Sequence, residues 1–156
     1  MNSLVFFGTL RSKQLLKVII GKDITHLDFY YAKIFNSKLY TVKNENFPYL
    51  EKTSSQSNNI ECIYIKGLTK ENFKKIMFYE SIEYKINDIE IFTNNKFIKT
   101  HYFDLIKKNK TKKLWFFDKW KIQYEKFSCI AAKEWMLLYE NYKNRPDKAE
   151  VYWQNI

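Results

Sequence analysis

The chain holds two cysteines, two histidines, two prolines and three glycines among 156 residues. Cys62 and Cys129 stand alone, with no Cys-x-x-Cys, so a disulfide framework is excluded. His26 and His101 are far apart and have no acidic partner at ligand spacing, which argues against a metal site. No apolar run approaches the ~18 residues that a membrane-crossing helix needs. The N-terminal LVFF is followed at once by glycine and charge, too short for the apolar core of a signal peptide. These absences lead to an expectation of a reducing, cytoplasmic setting. A Rossmann fingerprint lacks its further glycines here and a P-loop lacks its lysine, which disfavours nucleotide binding by either route.

What is abundant is apolar and basic. Hydrophobic residues make up 46% and aromatics 19%, enough for one domain with a real core. Aromatic and β-branched residues favour strands, so an all-α fold is not expected. The net charge of +10 raises nucleic acid or an anionic membrane as partners. Yet only Arg11 and Arg145 are arginines, and lysine, asparagine and isoleucine are frequent, as A/T-rich coding produces. A solvated lysine surface is the simpler reading, and nucleic acid the lesser alternative.

Residues 4–7 read as a short buried strand, broken by Gly8 and Thr9. Ser12 is placed to cap a helix through KQLLKVII, and Gly21 to stop it. Residues 25–35 and 38–43 read as strands, NENFPYL as a turn, EKTSSQSNN as a mobile hairpin tip and IECIYIK as a strand. Thr69 caps a helix KENFKKIMFYE, with Phe73, Ile76 and Met77 on one face. EYKINDIEIF and KFIKTHYFDL flank TNN as a hairpin. IKKNKTKK reads as a basic linker without apolar anchors. Beyond it, Trp120, Tyr124, Phe127, Ala131, Trp135, Leu138 and Tyr142 recur every three or four positions. That spacing predicts one amphipathic helix of about seven turns, ending before Pro146. The expected class is α+β, with a mixed or antiparallel sheet curled into a small β-barrel, flanking helices and a long C-terminal helix.

Two places carry chemistry. Gly8 lies on a strand-to-helix turn, where glycine permits positive φ and close approach of a ligand to backbone amides. Arg11, at the same turn, offers a planar fork that grips carboxylates as lysine does not. Further on, Glu80 ends the second helix among Phe78, Tyr79, Ile82 and Tyr84. Desolvation there raises a carboxyl's pKa toward neutrality, as a general acid/base requires. Glu83 is a rival, but it lies one residue from a predicted strand and is expected to face solvent.

Phe7, Gly8, Thr9, Leu10 and Arg11 resemble the Tyr-Gly-Ser/Thr-Leu-Arg opening of the gamma-glutamylcyclotransferase-like superfamily, which includes gamma-glutamylamine cyclotransferases and avirulence-induced proteins. KLYTV and FPYL match its Leu-Tyr strand and Tyr-Pro turn, and IMFYESIEY (residues 76–84) its Leu-Asp-x-Phe-Glu-Gly-x-x-Tyr. The resemblance covers roughly residues 3–104, and residues 1–104 are taken as the domain. Residues 105–156 are the basic linker and a helix packed on that domain or on a second subunit of a homodimer.

The resemblance implies an enzyme that cyclises a small-molecule gamma-glutamyl amine or peptide and releases 5-oxoproline. Glu80 would be its catalytic acid/base. Phe7, Gly8, Thr9, Leu10, Arg11 and Tyr84 would bind substrate, with no metal and no cofactor. This chain departs from the pattern at four places. Phe7 replaces the usual tyrosine, Met77 an aspartate, Ser81 a glycine and Cys62 a frequent glycine. The alternative reading is therefore a binding module that keeps the pocket without the chemistry.

Overall fold

The computed structural model describes residues 2–21 and 23–156. Strand β1 (Ser3–Phe6) runs into a 3-10 turn at Thr9–Arg11, and then Ser12 opens helix α1 (Lys13–Ile20). The Leu15 amide donates to Ser12 Oγ at 3.1 Å, and Gly21 closes the helix with φ 73. Both caps fall where the sequence predicts. So does the second helix, α2 (Lys70–Glu80), opened by a reciprocal capping box between Thr69 and Asn72.

Five strands make one antiparallel sheet. β2 (Asp28–Phe35) and β5 (Asn59–Lys66) pair along their whole length, from Asp28↔Lys66 to Phe35↔Asn59. β1 lies on the other side of β5. β6 (Tyr84–Thr93) touches β2 through the single pair Lys33↔Phe92, and forms a ten-residue hairpin with β7 (Lys96–Leu105). Asn94 and Asn95 turn that hairpin at φ 51 and 61, the conformation a two-residue primed turn needs. The order is β1-β5-β2-β6-β7. A Ser3 Oγ to Thr100 Oγ1 contact of 3.1 Å links the two edge strands. Among the described residues no backbone ladder joins them, so no closed barrel is detected in the curled sheet.

The remaining strands differ from expectation in an instructive way. β3 (Ser37–Thr41) pairs with β4 (Pro48–Lys52), so Pro48 begins a strand instead of sitting in a turn. Proline is tolerated at a strand's first residue. The basic segment after β7 is pinned to this ribbon despite lacking apolar anchors. Thr41 N donates to Lys113 O, Lys43 N to Asn109 O, and the Tyr49 hydroxyl to Thr111 O at 2.7 Å. Backbone groups need no side-chain pattern to pair, so hydropathy does not reveal such a tether.

Leu4, Leu15, Leu16, Ile34, Ile65 and Ile76 are fully buried between the sheet and the helices, and Trp115, Trp120 and Ala132 complete the same core. The helix α3 (Phe117–Met136) is shorter than expected. It tightens at Leu137 and Leu138 through i→i−3 bonds, and is followed by α4 (Tyr139–Tyr142) and α5 (Pro146–Gln154), whose proline sits in the first turn. The expected stripe is correct at Trp120 and Trp135 and wrong between them. Phe127 is 69% exposed and Tyr124 is 40% exposed, whereas Glu125 is buried. Met77 likewise faces solvent, and Phe78 faces inward to stack on Trp135 at 5.1 Å.

Candidate active site

The bend after β1 and the end of α2 meet in one enclosed space. Val5, Phe6, Phe7, Gly8, Thr9 and Leu10 wall an inner cavity of about 50 Å³ together with Phe47, Pro48, Glu80, Tyr84 and Phe103. An outer chamber of about 170 Å³ adjoins it, sharing Thr9, Phe47, Glu80 and Tyr84, and adding Asn46, Tyr79, Ser81, Glu83, Ser128 and Glu150. Glu80 therefore stands where the two meet. The chain positions it there because α2 packs on α1 and then turns sharply, through a 3-10 turn at Ser81–Glu83, into β6.

Gly8 is needed for space. Its φ is −107, so the positive φ that a glycine turn permits is not used. A Cβ at Gly8 would instead lie 3.1 Å from Pro48 Cγ and 3.3 Å from Pro48 Cδ. The strand-opening proline of β4 thus closes on the glycine, bringing the two short motifs of the sequence into contact. Arg11 N donates to Gly8 O and Ser12 N to Thr9 O. The amides of Thr9 and Leu10 precede the first of these bonds and have no partner within the turn.

Burial raises the Glu80 pKa to about 8, with the neighbouring Glu83 carboxylate adding to the effect. Only two of the four apolar neighbours in sequence, Tyr79 and Tyr84, stay beside the carboxyl. Phe78 turns away to Trp135 and Tyr139, and Ile82 is exposed. Tyr79, Tyr84, Phe47 and the glycine bend enclose the carboxyl instead. Burial, and then Glu80, also pushes the Tyr84 hydroxyl well above its ordinary range, so it is a neutral donor at any working pH. Glu83 is exposed, as expected, and its own pKa is raised by burial and then by Glu150 and Glu45.

Arg11 does not join them. Its guanidinium carbon lies 4.3 Å from the Phe117 ring centroid, and Nη2 is 3.9 Å from Glu61. It lines a separate groove of about 420 Å³ with Lys38, Asn58 and Trp115. Phe7 packs against Tyr102 with ring centroids 5.7 Å apart. Val5, Phe6, Asn46, Phe47, Pro48, Tyr79, Ser81, Phe103, Ser128 and Glu150 also line the two cavities, although sequence reasoning did not assign them to the site. Of these, Phe47 and Pro48 carried a signal through the FPYL match, and Tyr79 and Ser81 through IMFYESIEY.

The sites of the other reactive side chains are ordinary. His26 Nε2 is 2.9 Å from Asn72 Oδ1, and His101 Nδ1 is 2.8 Å from Asp88 Oδ1. Cys62 is buried and free, its thiol pushed up to about 12 by desolvation. No helix among the described residues is long and apolar enough to cross a membrane.

No family model matches the chain, and no curated protein matches it significantly. Solved structures do. A protein from Arabidopsis thaliana superposes with TM-score 0.60 at 17% identity, over 92% of this chain and 86% of that one. An uncharacterized protein from Pyrococcus horikoshii gives TM-score 0.52 at 19% identity, over 81% and 98%. A gamma-glutamyl cyclotransferase gives TM-score 0.55 at 10% identity, over 69% of this chain and 68% of that one. These likenesses show a fold shared with the Arabidopsis protein and with that gamma-glutamyl cyclotransferase.

Proposed function

We propose that the protein cyclises a gamma-glutamyl amine or peptide, releasing 5-oxoproline and the amine. The observation that carries this reading is the shared cavity: the glycine bend and a desolvated glutamate line one space. The amides of Thr9 and Leu10 would hold the substrate's α-carboxylate, between Phe7 and Gly8 on one side and Pro48 on the other. Glu80, ionised, takes a proton from the α-amine. The amine nitrogen then bonds to the γ-carbonyl carbon, the γ-amide C–N bond breaks, and Glu80 returns its proton to the departing nitrogen. The attack is intramolecular, so holding the folded conformer supplies much of the rate. The Tyr84 hydroxyl, at the junction of both chambers, would donate to the substrate. Arg11 acts behind the bend, holding it to α3 through Phe117, instead of contacting substrate.

The reaction needs no cofactor in this reading and fits a reducing, cytoplasmic setting. The apolar side chains left open along α3, Ile122, Phe127 and Ile130, are the surface a homodimer would use. A second reading, a ligand-binding module without turnover, is favoured by the small inner cavity and by Phe7, which lacks the family's hydroxyl. Replacing Glu80 separates the two. Glu80→Gln should abolish 5-oxoproline release by at least ~100-fold with an unchanged circular dichroism spectrum. Full turnover by that variant would disprove the role of Glu80.

A further inference from the structure

A groove of about 600 Å³, larger than either chamber at Glu80, lies between the start of α3 and the basic segment that precedes it. Lys112, Lys113 and Lys119 line it, and Glu45 is the single carboxylate among its lining residues. Among the described residues none of these three lysines pairs with a carboxylate. Between and beside them stand aromatic side chains. Trp115 and Trp120 are buried in the wall, whereas Phe116 is 51% exposed and Tyr124 is exposed too. Asn46 and Gln123 add amide side chains.

A lysine segment kept only for solubility needs no fixed backbone, yet this one is held as an added strand. Thr41 N donates to Lys113 O, Trp115 N donates to Leu39 O, and Leu114 bridges to Tyr40. Trp115 Nε1 donates to Asn46 O at 2.9 Å, which ties the loop between β3 and β4 to the same wall. The Lys119 ammonium lies 5.0 Å from the Phe116 ring centroid. Such an exposed contact is worth about 0.5–1 kcal/mol, so a stacking base and its phosphate can replace it. Cations interleaved with open rings on a preorganised surface match phosphates and base faces along one strand. A duplex hides its base faces within the stack. An anionic lipid surface takes apolar side chains from a projecting face, not from a concavity that also carries amides.

We propose that this groove binds a short single-stranded nucleic acid, its phosphates on Lys112, Lys113 and Lys119 and its bases stacked on Phe116 and Tyr124. The inference does not rest on the cyclisation reading. Composition alone favours a solvated lysine surface; the fixed alternation of cation and ring sets this face apart.

Fluorescence anisotropy with a labelled oligothymidylate of about 12 nucleotides tests it. Three phosphate contacts predict that the logarithm of the binding constant falls with the logarithm of salt concentration with a slope of about −2. Lys112→Ala combined with Lys119→Ala should make that slope shallower by about 1.4. Lys96→Ala combined with Lys99→Ala removes the same charge from exposed positions on β7 and should leave it unchanged. Phe116→Ala should weaken binding about tenfold at constant slope, and Phe116→Tyr, which keeps a ring, should bind as the parent does. Equal effects of the two lysine pairs, or binding indifferent to Phe116→Ala, would mean attraction to net charge alone and overturn the proposal. Equal affinity for thymidine monophosphate, tighter binding to a duplex or to phosphatidylserine vesicles, or no binding of the oligonucleotide would each overturn it as well.

Discussion

Ser12 Oγ donates a hydrogen bond to Glu125 Oε2 at 2.6 Å, joining residues 113 positions apart. The same oxygen accepts from the Leu15 amide, so one hydroxyl caps α1 and anchors α3. Both residues are buried. Ser12→Ala removes the cap and leaves a buried carboxyl without its partner, and should destabilise the protein by about 2–4 kcal/mol in urea titration. Ser12→Thr keeps the hydroxyl and should lose much less. Equal losses would show that the hydrogen bond is not the source.

Because Glu80 must be ionised to accept a proton, and its pKa is about 8, kcat/KM should rise with pH and level off above that value. The Glu83 carboxylate is the second cause of the shift, after burial. Glu83→Gln should therefore move the midpoint of the profile downward. A flat profile between pH 6 and about 9 would rule out Glu80 as the base.

The same shift acts on stability. Glu80 titrates near 8 in the folded chain against an ordinary value of 4.5, so between those values the folded state binds more protons than the unfolded one. Stability then falls as pH rises through that window, by at most about 1.4 kcal/mol per pH unit from this group, and is constant with respect to it outside the window. Glu83, also raised, acts in the same direction. Glu80→Gln should be more stable than the parent at pH 9 and similar at pH 4, as melting temperatures would record. A parent protein that gains stability relative to the variant on the alkaline side would contradict the buried position of the carboxyl.

Gly8→Ala tests the contact with Pro48. The added Cβ must displace a proline ring that walls the cavity, by a few tenths of an ångström. The loss of stability should be about 1 kcal/mol. The loss of kcat/KM should be tenfold or more, because the displaced ring borders the reacting groups. Unchanged kinetics would show that the bend does not hold substrate.

Local rules made several elements legible from the chain alone. Ser12, Gly21 and the Thr69–Asn72 box mark helix ends through contacts a few residues apart, so the limits of α1 and α2 could be read directly. Asn94 and Asn95 encode a turn for the same reason. The glycine bend and Glu80 were legible as a pair only through the resemblance of two short motifs.

What stayed hidden depends on partners remote in sequence. The inward phase of α3 is set by Glu125, which hydropathy counts as outward, because its partner Ser12 lies on another helix. The basic segment is held by backbone bonds that no side-chain pattern announces. Gly8 was singled out correctly, but for conformational freedom, and only the position of Pro48 shows that space is what it supplies. By itself the sequence determined the caps, turns and most strand and helix identities, since these follow from side chains within one or two turns of each other. Tertiary structure alone decided which carboxylates gather around Glu80 and that Arg11 points elsewhere, since burial and charge proximity are properties of segments brought together from across the chain.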